Sequence, residues 1–221
     1  MKSPHPHFQI GVLHFSKTIM AKNLKPFVTV SREAGSGGKL VAKKLARELG
    51  FKLYDDELIK LIARKTKLRK KVVEKLDEKE RGFMEDLLHR LLNPEYVSSQ
   101  TYIKSLCQVI KALSLKGKVV ILGRGGNFVT SLKNGLHVRV IAPFWDRVKY
   151  TMKYEKRSMK NAIGQVRKYD KERKEFIRQF FGKNPSNIDY YDLVLNTEEL
   201  SVDEAVAVAA EAFKQKFKRR E

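Results

Sequence analysis

Ser31-Arg32-Glu33-Ala34-Gly35-Ser36-Gly37-Gly38-Lys39-Leu40 (SREAGSGGKL) decides how the rest of this 221-residue chain is read. Before it, Pro26 to Ser31 (PFVTVS) is rich in β-branched residues, as a buried strand would be. After it, Leu40, Val41, Leu45 and Leu49 recur at helical spacing from Gly38 to Leu49, and Gly50 supplies a stop. Glycines between a strand and a helix let backbone N–H groups approach an anion, and the helix adds the positive end of its dipole. An ordinary glycine-rich turn has the same composition. The place of this one, directly after the first strand, favours a phosphate site.

Working outward, Lys52 to Asp55 (KLYD) predicts a second strand, with Asp55 or Asp56 able to cap a helix beginning near Glu57. From Ile59 to Lys116 the periodicity is helical throughout, interrupted at Asn93-Pro94, with Leu87, Leu88, Leu91 and Leu92 on one apolar face. Lys118 to Leu122 (KVVIL) and His137 to Ala142 (HVRVIA) read as buried strands, the first ending at Gly123-Arg124-Gly125-Gly126 and the second at Pro143. A charged helical stretch is expected from Phe144 to about Phe181, with Trp145 as a packing residue. A fifth strand follows at Asp192 to Asn196, and Ser201 with Glu204 forms a capping box for a last helix. Strands alternating with helices imply an α/β protein with a parallel sheet covered on both faces.

Composition narrows the function classes. Lys and Arg number 46 and Asp and Glu 25, a formal net charge of +21, while 42% hydrophobic and 10% aromatic residues suffice for a core. A wholly disordered polybasic chain is excluded. Cys107 is the single cysteine and sits in a helical apolar pattern, so it reads as a core residue in a reducing, cytoplasmic setting. Apolar runs such as Ala205 to Ala210 fall far short of the roughly 18 residues of a membrane span. Residues 1–25 read as a loosely attached, poorly ordered extension, with Met20 as an alternative start, and residues 26–221 as the folded domain.

The glycine loop does not keep the pattern G-x-x-x-x-G-K-[ST] in either frame. With Lys39 as the phosphate lysine, Glu33 takes the first Gly position and Leu40 the hydroxyl position. With Gly35 and Gly37 setting the frame, Arg32 replaces the first Gly, Gly38 the Lys, and Lys39 the hydroxyl residue. The backbone of Gly35, Ser36, Gly37 and Gly38 can still cradle phosphates, with Arg32 or Lys39 supplying charge. The usual magnesium-binding hydroxyl is missing, and the metal ligands are left open.

In the second frame, GSGGKLVAKKLARELG (Gly35 to Gly50) resembles the phosphate loop and first helix of the cytidylate kinases, P-loop nucleoside monophosphate kinases. The resemblance continues through FKLYDD at 51–56, ILGRGGN at 121–127 and YDLVLNT at 191–197, with Lys168, Asp170 and Arg173 forming a K-x-D-x-x-R stretch between the last two. SREAGSGG, GRGGN and that stretch are similar to the cytidylate kinase-like branch, over about Phe27 to Ala212. The resemblance implies a P-loop NTPase-type three-layer fold: a five-stranded parallel sheet, a helical acceptor-binding insertion at about 57–116, and an Arg-rich lid at about 156–185. It implies ATP with Mg2+ as phosphoryl donor and a nucleoside monophosphate, CMP or dCMP, as acceptor. Arg124 falls on the acceptor-contacting Arg and Asp55 on the acidic residue after the second strand, whereas Gly125 stands where the family has Asp.

Between Arg147 and Arg178 lie twelve Lys or Arg against Glu155, Asp170, Glu172 and Glu175. Most would form a solvated helix face. Phosphoryl transfer needs fixed positive charge on the transferring oxygens, and forked Arg suits this better than Lys. Arg173, with Asp170 to orient it, heads the catalytic candidates, followed by Arg167 and Arg178.

Three functions therefore stand side by side: a nucleoside monophosphate kinase, a catalytically weak or inactive nucleotide binder on the same fold, and a basic nucleic-acid-binding protein. The last rests on Arg64 to Lys75 and Lys214 to Arg220, patches suited to non-specific nucleic acid contact.

Overall fold

The computed structural model describes residues 25–55 and 99–218. Residues 1–24 of the expected extension, residues 57–98 of the expected insertion with the basic patch at 64–75, and Arg219 and Arg220 of the C-terminal patch lie outside the described residues.

Five strands, β1 (Phe27–Arg32), β2 (Lys52–Tyr54), β3 (Val119–Leu122), β4 (Gly135–Ile141) and β5 (Leu193–Asn196), form one sheet in the order β2-β3-β1-β4-β5. All four pairings are parallel, with Val28 opposite both Val120 and Leu136. Helices α1 (Gly38–Glu48), α2 (Ser99–Lys116), α3 (Gly126–Val129), α4 (Phe144–Glu155), α5 (Met159–Phe181) and α6 (Val202–Lys218) connect or follow the strands. The expected α/β three-layer architecture is the observed one.

Strand alternation sorts the side chains into two cores. Val28, Val30, Val120, Leu122, Val138 and Val140 pack with Val41 and Leu45 of α1 and Ala205, Ala209 and Phe213 of α6. On the opposite face, Phe27, Tyr54, Val119 and Ile121 pack with Ile103, Leu106, Ile110 and Leu113 of α2, joined by Phe176, Phe180 and Phe181 of α5. Cys107 packs against this second core, where burial pushes its thiol up to about 11. It is therefore protonated at neutral pH, as a core cysteine would be.

Two local readings change. The charged stretch from Phe144 is two helices, because Lys156 turns into the left-handed region (φ 51) and the Ser158 side chain caps α5 through the Asn161 N–H. Trp145 is 55% exposed, with an edge contact to Phe144, so it is not a packing residue. The predicted capping box is present, Ser201 N–H donating to Glu204 at 2.8 Å and Glu204 N–H to Ser201 Oγ at 3.2 Å. In the C-terminal basic cluster, Lys216 bonds the Gly135 carbonyl and the Asp192 carboxylate, so this cation secures α6 to the sheet.

His137 on β4 is fully buried. Thr130 Oγ1 donates its proton to the Gly126 carbonyl, so at 3.3 Å it accepts from His137 Nε2–H, and Nδ1 stays unprotonated. Burial, partly opposed by Asp192, lowers the His137 pKa from 6.5 to about 4. The unfolded chain therefore takes up this proton first as pH falls, and stability is lost between about pH 6.5 and 4. Thermal melting should show that decline in the wild type, and His137→Leu should flatten it. An unchanged slope in the variant would show that other groups control it.

Candidate functional site

At the carboxyl ends of β1 and β3 lies a cavity of about 710 Å³, where ligands of open α/β sheets bind. The strand ends contribute Ser31, Arg32 and Glu33 on one side and Leu122 to Gly125 on the other, and α5 closes it with Asp170, Arg173 and Phe176. Lys39 and Asp55 stand at its rim and Arg139 reaches it from β4.

The glycine loop beside it is held in one shape. Gly37 caps α1 at φ 70 with no side-chain cap, so the first-turn amides of the helix point outward with the positive end of the dipole. Gly35, at φ 76, lies so near α4 that a Cβ would sit 2.4 Å from the Arg147 carbonyl oxygen. Gly38 leaves room for the Arg32 side chain, whose Cβ would be 2.5 Å from any Cβ there. The Ser36 hydroxyl turns inward and donates to the Glu33 and Val140 carbonyls at 3.0 and 3.2 Å, so it is committed to the loop itself. Thr197 Oγ1 braces the loop by donating to the Ser36 carbonyl at 2.9 Å.

Arg147 is the main clamp. Its Nε donates to the Ala142 carbonyl at 2.9 Å, and Nη1 donates to the Ala34 carbonyl at 3.1 Å and to the Asp170 carboxylate. Glu33 lies 3.5 Å from Arg147 and 3.4 Å from Arg139. Asp170 also accepts the Ala34 N–H at 2.8 Å. Both backbone polar groups of Ala34 are thus tied to α4 and α5.

The candidates separate accordingly. Arg32, Lys39, Asp55, Arg124, Asp170 and Arg173 line the cavity, whereas Gly35, Ser36, Gly37 and Gly38 form the adjoining loop. Arg173 Nη1 donates to the Arg32 carbonyl at 3.5 Å, and Lys39 lies 4.0 Å from Asp55. The carboxylate of Asp170, expected to orient Arg173, holds Arg147 and the loop. Arg167 lies outside the cavity lining with its guanidinium over the Phe144 ring, 5.4 Å from the centroid, and Arg178 is an exposed residue outside the lining.

Arg124 takes a left-handed conformation (φ 53) between Gly123 and Gly125, with its guanidinium over the Phe176 ring. At Gly125, φ 68, a Cβ would come within 2.5 Å of the Phe181 ring, so a side chain there would be strained and would have to displace that ring. Among the described residues, no group of three or more His, Cys, Asp or Glu is placed to hold a metal ion, and no helix is long and apolar enough to cross a membrane.

Sequence reasoning missed Glu33, Arg139 and Arg147 as site residues. Arg147 was one cation in a basic run, yet on α4 it shares the buried face with Val148 and Thr151 at helical spacing. That spacing was the available signal. Tyr150, whose ring carbon would be 3.5 Å from a Cβ at Gly37, was also missed; burial, then Tyr154 and Glu155, raise its pKa.

Residues 27–199 match the model of the cytidylate kinase-like family. A cytidylate kinase of Thermococcus kodakarensis is 25% identical over 187 residues, covering 84% of this chain and 86% of that protein. A uronate isomerase of Corynebacterium glutamicum is 32% identical over 99 residues, but this chain spans only 19% of its length. Among solved structures, an uncharacterized protein from Eubacterium ventriosum is similar at a TM-score of 0.67 and 26% identity, covering 86% of this chain and 99% of that one.

Gly37→Val tests the loop. A β-branched residue at φ 70 distorts the first turn, while the 3.5 Å clearance spares the surrounding packing. The variant should fold but lose the melting shift that ATP or ADP produces. An undiminished shift would mean that phosphates bind elsewhere.

Proposed function

Because the chain belongs to the cytidylate kinase-like family, we propose that it transfers the γ-phosphoryl group of ATP to a nucleoside monophosphate, with CMP or dCMP as the acceptor. The observation that carries this reading is the cavity beside the glycine loop, where Arg32, Arg124 and Arg173 converge from three different elements. ATP phosphates would lie on the backbone of Gly35 to Lys39, with Arg32 and Lys39 supplying charge. The acceptor would enter between Asp55 and Arg124.

Transfer of this kind asks the protein for positioning and charge rather than for a covalent intermediate. Magnesium bound with the nucleotide would supply neutralising charge at the phosphate oxygens, and Asp55 is a cavity-lining carboxylate that would help hold it, directly or through water. Arg173 is the proposed catalytic cation because it lines the cavity within reach of the loop's first residue. Asp170 serves it indirectly, by fixing α5 against the loop through Ala34 and Arg147. Arg167 and Arg178 would contribute only if α5 moved relative to the loop.

The missing phosphate-loop Lys and hydroxyl favour a second reading, an inactive nucleotide binder, and turnover separates the two. Full-length protein with ATP, magnesium and a panel of monophosphates should release ADP with CMP or dCMP. Arg173→Ala should keep ATP binding within about threefold and lose on the order of 10³-fold in turnover. Arg173→Lys should recover only part, since an ammonium lacks the forked geometry. Wild-type protein that binds ATP yet phosphorylates none of the common monophosphates would leave the inactive binder.

A further inference from the structure

Behind Ser31, which lines the cavity, lie neutral polar groups that phosphate binding does not explain. Along β1, Phe27, Thr29 and Ser31 alternate onto one face of the sheet. Phe27 ends in the apolar core beside α2, Ser31 lines the cavity, and Thr29, 2% exposed, lies between them. Asn127 of α3 is 7% exposed and lies 3.2 Å from Ser31 Oγ through its Oδ1. Its neighbour Gly126 rests on Thr29, where a Cβ would be 3.4 Å from the Thr29 methyl. The three polar side chains therefore run from the cavity floor into the core.

Two of them are unsatisfied. Among the described residues, Thr29 Oγ1 and Asn127 Nδ2 are buried with no hydrogen-bond partner. Burying a polar group without a partner is costly, and Val and Leu would fill similar space without that cost. Such groups beside a cavity suit a ligand that completes them. As placed, Ser31 gives its proton to Asn127, leaving Ser31 lone pairs as acceptor and the Asn127 amide as donor. With the amide reversed, Asn127 Oδ1 becomes the acceptor and the Ser31 hydroxyl the donor. In both orientations the pair offers one donor and one acceptor.

We propose that Ser31 and Asn127, backed by Thr29, form a subsite for a neutral group of the acceptor that presents a donor and an acceptor side by side. A sugar hydroxyl and the amino-carbonyl edge of a base both have this chemistry, whereas a phosphate has no donor to give. The choice of ligand rests on the monophosphate-kinase reading; the subsite itself rests on the unsatisfied atoms.

Full-length Asn127→Leu, Thr29→Val and Ser31→Ala test it. With the unpaired groups removed, ligand-free Asn127→Leu and Thr29→Val should melt at or above the wild-type temperature. The KM for CMP should rise about tenfold or more in Asn127→Leu, and the CMP-induced melting shift should vanish. The ATP-induced shift and kcat at saturating CMP should change less than about threefold. Should Asn127→Leu fail to fold, Ser31→Ala and Thr29→Val carry the same comparison. Lost discrimination between CMP and dCMP would place the 2′ hydroxyl at the subsite, lost discrimination between CMP and UMP the base edge, and an equal loss for all three the 3′ hydroxyl. Unchanged CMP binding in every variant, or equal weakening of CMP and ATP, would overturn the subsite. If the wild type phosphorylates no monophosphate, the kinase reading fails alone provided the CMP-induced shift is present in wild type and absent from the variants. No such shift in wild type would overturn the subsite too.

Discussion

The buried guanidinium of Arg147 is the constraint on which the rest of the site depends. It joins the end of β4 at Ala142, the glycine loop at Ala34, and α5 at Asp170, with Glu33 alongside. A planar fork with five donors can satisfy several acceptors at fixed angles, which an ammonium cannot. Removing it would leave the Ala34 and Ala142 carbonyls without this donor and Glu33 and Asp170 without their shared cation. Because Asp170 also takes the Ala34 N–H, the loop cannot shift without moving α5. Arg173, one turn further along that helix, inherits its place relative to the loop from this clamp.

Among the described residues, much of the positive charge along α5 is incidental to the site. The pairs Lys168–Glu172 and Lys171–Glu175 are solvent-exposed along α5, where ion pairs contribute little. The cations that shape the cavity are arginines at strand ends and on the inward face of α5, held by carbonyls, carboxylates and aromatic rings. The left-handed turn at Gly123 to Gly125 aims Arg124, while the Phe181 ring packs against Gly125 where a side chain would otherwise stand. That position therefore presents backbone and an aromatic ring, and the buried polar pair of Thr29 and Asn127 lies behind Ser31 of the same cavity.

The sequence by itself determined the strands, the loop and the last helix's cap, because each is signalled within a few residues. Short β-branched and apolar runs such as FVTVS and KVVIL specify strands, glycines at 35 and 37 meet a local need for positive φ, and Ser201 reaches Glu204 within one turn. Only the tertiary structure decided which charged residues matter. Ala34 and Asp170 are 136 positions apart, Arg147 and Ala34 113, and Ser31 and Asn127 96, so no local pattern distinguishes these residues from neighbours of the same type. Arg147 and Arg167 look alike in a basic run and both lie over the Phe144 ring, yet one is a buried clamp and the other is exposed. What separates them is where the chain's return brings carbonyls and carboxylates into a low-dielectric space, and that is a property of packing rather than of sequence spacing.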